Sequence, residues 1–173
     1  MSQLIKGRAL ADDRFTLVRM QDGALPAGPT IVPLARWQAE RDALAARGDI
    51  GVWLGPADDP GSLAGDVATL PLIAVDFPQF ADGRGYSTAR LLRERYAFKG
   101  EIRAIGDVQR DQLAYLAQCG FDAFVVVDGK SALEALAGLD DFSDGYQLTQ
   151  LRTPWFRRRA AVPQEARSHA VVE

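Results

Sequence analysis

Cysteine and histidine are nearly missing from this chain: Cys119 and His169 are the only ones in 173 residues. One cysteine excludes an intrachain disulfide, a CxxC redox pair and a cysteine-bound cluster built within one chain. One histidine, in the last few residues, leaves no credible Ser-His-Asp or Cys-His apparatus and deprives zinc of its usual ligands. No apolar run approaches the roughly 20 residues of a membrane span, and the sequence does not open on a signal-peptide apolar stretch. These absences predict a cytoplasmic protein without membrane contact. A net charge of −3 gives no general drive toward nucleic acid. With 47% apolar and 25% charged residues, the chain suits one globular domain with a real core.

Strand and helix patterns alternate along the middle of the chain. Residues 1–33 read as a β-rich extension with short pieces at Phe15–Val18 and Thr30–Val32, broken by Asp22-Gly23 and a proline- and glycine-containing stretch. Residues 34–147 read as an α/β core. A helix is expected over Leu34–Arg47, ended by Gly48. Strands follow at Gly51–Leu54, Leu72–Val75, Ile102–Ile105 and Ala123–Val127. Between them, helices are expected at Leu63–Leu70 with Ser62 as a cap, from Ser87 to Tyr96, and at Val108–Gln118 capped by Asp107; a last one covers Ser131–Leu139. This order predicts a mainly parallel sheet of four or five strands flanked by helices, with a half-barrel as the alternative. Residues 148–173, with the basic aromatic stretch Arg152–Arg159, read as a disordered tail.

The segment from Asp76 to Ser87, DFPQFADGRGYS, is the strongest site signal. An apolar strand ends in a carboxylate, two glycines flank Arg84, and Ser87 is expected to open a helix. Glycines allow close approach of backbone to a ligand, and the first N–H groups of a helix have no partner within it. Arg84 adds a planar donor fork. Asp76, Asp82, Gly83, Arg84, Gly85, Tyr86, Ser87 and Asp107, at the carboxyl ends of strands where open α/β sheets bind ligands, form the candidate ligand set with Arg103, which sits inside a strand as a second anion contact. Asp82 and Asp107 are the acid–base candidates. Each has a structural reading too: Asp82 as an Asx-turn, Asp107 and Asp128 as helix caps, Arg84 as a partner of Asp76, and Arg103 in a salt bridge near a sheet edge. Arg90, Arg93, Glu94 and Arg95 read as the solvated side of their helix. No GxGxxG or P-loop pattern occurs, so no cofactor is recognisable.

The combination of DFPxFxDGRGYS, GDVxRDQL (from Gly106) and CGFDAF (from Cys119) is specific. With IVPLARWQAERDALAARGDIGVWLGP before it and FSDGYQ after it, it resembles an uncharacterised bacterial family encoded beside sulfite reductase genes and often labelled as oxidoreductases of sulfite reduction. The resemblance runs from about Leu4 to Gln147, with Ala81 standing where a hydroxyl residue is expected. It implies an accessory role in assimilatory sulfate or sulfite reduction, through a partner such as sulfite reductase or its electron donor. The alternative is a small-molecule protein, enzymatic or purely binding, holding an oxyanion or phosphometabolite at the DGRGYS loop. The label fits the residues poorly, because six-electron sulfite reduction is chemistry carried by cofactors.

Overall fold

A computed structural model describes residues 4–126 and 131–140. Eight strands form one sheet: β1 (Leu4–Lys6), β2 (Ala9–Ala11), β3 (Thr16–Leu17), β4 (Thr30–Pro33), β5 (Ile50–Leu54), β6 (Leu72–Phe77), β7 (Glu101–Gly106) and β8 (Ala123–Val125). Their order across the sheet is β2-β1-β8-β7-β6-β5-β4-β3. From β3 to β8 every neighbouring pair is parallel, whereas β1 pairs antiparallel with both β8 and β2.

The expected four or five mainly parallel strands are thus corrected to a mixed sheet of eight, curled into a half-barrel. The reason lies in the first 33 residues. The β1–β2 hairpin extends one edge and β3–β4 the other, through pieces of two to four residues too short for a periodic signal.

Because β3 to β8 are neighbours in chain order, right-handed crossovers place the helices on one face. These are α1 (Leu34–Ala39), α2 (Arg41–Ala45), α3 (Arg84–Glu94), α4 (Leu113–Cys119) and α5 (Ala132–Leu136). The main core lies between sheet and helices. Strand residues such as Val52, Ile73, Val75, Phe77, Ile102 and Phe124 pack there with Trp37, Leu44, Leu92, Leu113 and Leu116. Alternation sends the other side chains to the concave face, where Ile31, Leu72, Ala74 and Ile105 form a smaller cluster with Phe15, Trp53 and Val125 against it.

Several boundaries differ from the sequence pattern. The expected Leu34–Arg47 helix is two helices, interrupted at Glu40, which has non-helical dihedrals. In place of a helix over Leu63–Leu70 there is a 3-10 turn, Pro60–Leu63, capped by Asp59 rather than Ser62. Helix α3 begins at Arg84, three residues before Ser87. Helix α4 is entered through a 3-10 turn, Arg110–Gln112, capped reciprocally by Gln109 and Gln112 and not by Asp107. Gly120, with a φ of 108°, terminates α4 as expected. Asp128, the Arg152–Arg159 stretch and the tail lie outside the described residues. Among those described, no helix is long and apolar enough to cross a membrane.

Candidate functional site

The DGRGYS corner is closed on itself. Asp82 accepts from the Arg84 backbone N–H (3.2 Å) and from its Nε (3.0 Å) and Nη2 (2.7 Å). That carboxylate thus occupies the helix N-terminus and the guanidinium fork together. The Arg84 hydrogen bonds hold the Asp82 carboxyl below its ordinary range. Ser87, one turn inside α3, has passed the N–H groups that a helix start leaves free. Of the two glycines, only Gly85 answers to packing. Gly83 has an ordinary φ of −80°, and at Gly85 an added Cβ would lie 2.5 Å from Phe77 Cζ. Tyr86 packs between the rings of Phe77 and Tyr115 and accepts from Gln112 Nε2 (3.1 Å); burial pushes its phenol up. Asp107 ties neighbouring loops together, accepting from the Phe80 N–H (3.1 Å) and Gln109 Nε2 (3.2 Å).

Asp76 and Arg103 are brought to a different place. In the parallel register Ala74 faces Arg103 and Asp76 faces Ile105, and all four project to the concave face. The segment following β2 meets them there. Asp13 Oδ1 accepts from Arg103 Nη1 (2.8 Å), and the Phe15 ring stacks on the Arg103 guanidinium at 5.5 Å. Arg19 reaches Asp76 with both terminal nitrogens (3.1 and 3.0 Å) while lying over Trp53, whose Nε1 donates to the Val18 carbonyl (3.0 Å). The Asp76 hydrogen bonds raise the Arg19 pKa further, so its guanidinium stays charged throughout the working range.

Between this segment and the sheet lies a cavity of about 420 Å³. Its walls are Phe15, Leu17, Ile31, Ile105, Val125 and Val126, and its polar groups are Asp13, Arg19 and Arg103, with Gly106 at the end of β7. Arg103 is only 2% exposed. Its Nε donates to Glu101 Oε1 (2.7 Å) and its Nη1 to Asp13, while Nη2 bonds to none of the described residues. Glu101 is also bridged by Lys6 (2.8 Å). The cavity therefore offers a buried, permanently charged donor from the middle of β7, with Gly106 at that strand's carboxyl end also on its wall. That is a binding arrangement; its carboxylates are all engaged by cations.

Among the described residues no cluster of histidine, cysteine, aspartate and glutamate could hold a metal ion. Cys119 is buried, and burial pushes its thiol up, which makes it a poor nucleophile.

A family model described as a bacterial protein of unknown function, DUF934, matches residues 51–156, more than half of the chain. The chain belongs to the DUF934 family. No curated protein matches it. The DUF934 match takes in β5 to β8, and hence Asp76, Arg103 and Gly106, but not the segment Asp13–Arg19 that forms the outer wall of the cavity. The sequence reading placed a β piece at Phe15–Val18 but gave it no part in a site, because its partners on β6 and β7 lie far off in the chain. The spacing of Phe15, Leu17 and Arg19, alternate residues on one face of a strand, is the signal that marks the wall residues.

Proposed function

We propose that this DUF934 protein is an accessory component of assimilatory sulfite reduction that works by holding a small ligand, through an anionic group, on the concave face of its half-barrel. The observation that carries the binding part is the open Nη2 of Arg103. Among the described residues Nη2 has no hydrogen-bond partner and it keeps some contact with solvent, so a ligand's anionic group would replace that water with a charge-assisted hydrogen bond. The pathway part rests on the resemblance carried by DFPxFxDGRGYS, GDVxRDQL and CGFDAF. Its partner on this reading is sulfite reductase or its electron donor. The ligand is placed on the concave face rather than at the DGRGYS corner because Arg84 could meet an external anion only by giving up Asp82.

Growth of a deletion strain tests both parts. Without the gene, growth on sulfate and sulfite fails and sulfide or cysteine rescues it. A wild-type copy restores growth, and Arg103→Met or Leu17→Trp does not. Leu17 stands at the exposed mouth, so the larger ring fills the cavity without disturbing the core. Normal growth of the deletion strain on all four sulfur sources would remove the pathway assignment. Full restoration by a folded Leu17→Trp protein would remove the cavity from it. Copurification with the reductase or its donor at low salt tests the partner, and its absence would count against an accessory role.

A further inference from the structure

Two groups lining the cavity, Arg103 on the sheet and Asp13 on the outer wall, are half-used in a matched way. Arg103 spends Nε on Glu101 and Nη1 on Asp13, leaving Nη2; Asp13 takes Arg103 Nη1 and the Phe15 N–H on Oδ1, leaving Oδ2 without a hydrogen bond to any described residue. The 2.8 Å bond between them holds an unused cationic donor beside an unused anionic acceptor. We infer that the cavity takes a zwitterion of the α-amino-acid kind, its carboxylate on Arg103 and its ammonium on Asp13. This rests on the reading of the concave face as a ligand site and narrows what that site accepts.

The charge around the cavity supports the same ligand. Lys6, Arg19 and Arg103 are balanced by Asp13, Asp76 and Glu101. A free dianion such as sulfate would bring unbalanced negative charge next to three carboxylates, at a cost that rises as water is excluded. A zwitterion adds no net charge and complements both members of the Arg103–Asp13 pair. The remaining walls are apolar: Phe15 on one side and Ile31, Ile105 and Val125 on the floor. They suit a short aliphatic or thioether side chain, which gains from being taken out of water. A volume of about 420 Å³ leaves room for such a molecule and accompanying water.

Calorimetric titration of the full chain with L-valine, L-methionine, L-cysteine and L-serine tests this directly. Isobutylamine and isovalerate, which are valine without its carboxylate and without its ammonium, are titrated beside them, with sulfate as the plain oxyanion. An amino acid with an apolar side chain binds, and each one-charge counterpart binds about tenfold or more weakly, the loss expected of one charge-assisted hydrogen bond. Asp13→Asn, which keeps the acceptor for Arg103 but drops the charge, weakens the amino acid by a similar factor, and Leu17→Trp abolishes binding. If sulfate or isovalerate binds as well as valine and is untouched by Asp13→Asn, the zwitterion inference fails while an anion site at Arg103 stands. If none of the four amino acids gives heat, the inference fails, and the growth phenotype of Leu17→Trp decides separately whether the cavity matters.

Discussion

Replacing Arg93 by methionine keeps the aliphatic stem and removes a guanidinium that staples the ends of several elements. Its Nε donates to the Gly120 carbonyl (3.0 Å), Nη1 to the carbonyls of Phe98 (2.7 Å) and Gly100 (2.8 Å), and Nη2 to Asp122 (2.9 Å). Only 15% of the side chain is exposed. The Asp122 side chain is 47% exposed, so solvent screens the ion pair and that bond contributes least. The three carbonyls are the larger loss, since each gives up a bond to a charged donor. Together these losses come to about 3–4 kcal/mol, a large part of the 5–15 kcal/mol typical of a domain. Arg93→Lys, with one nitrogen for four acceptors, recovers about half of that at most. The pH dependence is a second readout. Burial pushes the Asp122 carboxyl up and Arg93 pulls it back, so without Arg93 it rises further. A folded carboxyl with a raised pKa holds its proton more tightly than the unfolded chain does, and stability falls as pH rises through the carboxylate range. The deficit of Arg93→Met is therefore smaller at the acid end of that range than at neutrality. Urea unfolding at both pH values measures it; a loss below about 1 kcal/mol, or a lysine variant equal to wild type, would refute the staple.

Other substitutions separate packing from function. Gly106→Ala places a Cβ where φ is 94°, against the Phe77 carbonyl and 2.9 Å from Asp76 Oδ1, so urea unfolding should show a loss of roughly 2–4 kcal/mol. Arg84→Ala should leave both the melting temperature and amino-acid binding unchanged, because the exposed Arg84–Asp82 pair lies outside the cavity; loss of binding would return the ligand to the DGRGYS corner. Cys119 should react with thiol reagents far more slowly than a small free thiol at neutral pH and speed up on unfolding, its buried thiol being pushed up; fast labelling of the folded protein would contradict the packing around it.

What the sequence conveyed and what it hid divide along contact distance. The apolar run Leu72–Val75 and the alternation at Ile102–Ile105 locate β6 and β7, and the strand–helix order conveys parallel pairing, because both depend on neighbours in the chain. Asp76 and Arg103 stand out as charged residues in otherwise apolar strands; Arg103 lines the cavity, and Asp76 holds Arg19, which does. Their partners do not stand out, since Asp13 lies 90 residues from Arg103 and Arg19 lies 57 from Asp76. Arg93 reads as solvated because its helical spacing matches Arg90, yet acceptors at 98, 100, 120 and 122 draw it inward. Arg84 was conspicuous between two glycines, but its partner two residues away satisfies it locally.

The two faces of the sheet answer different demands. The helix-covered face is almost entirely apolar and supplies the burial that holds the fold. The concave face carries buried Arg103 between two carboxylates and Asp76 beneath Arg19, charges whose desolvation offsets much of their mutual attraction. Apolar residues of similar volume would hold that face together at least as well. Stability alone is therefore a weak reason for the cluster, and Arg103 Nη2, without a hydrogen-bond partner among the described residues, leaves a donor available on a residue that lines the cavity. A ligand that completes that donor would account for the charge and for its burial by one cause.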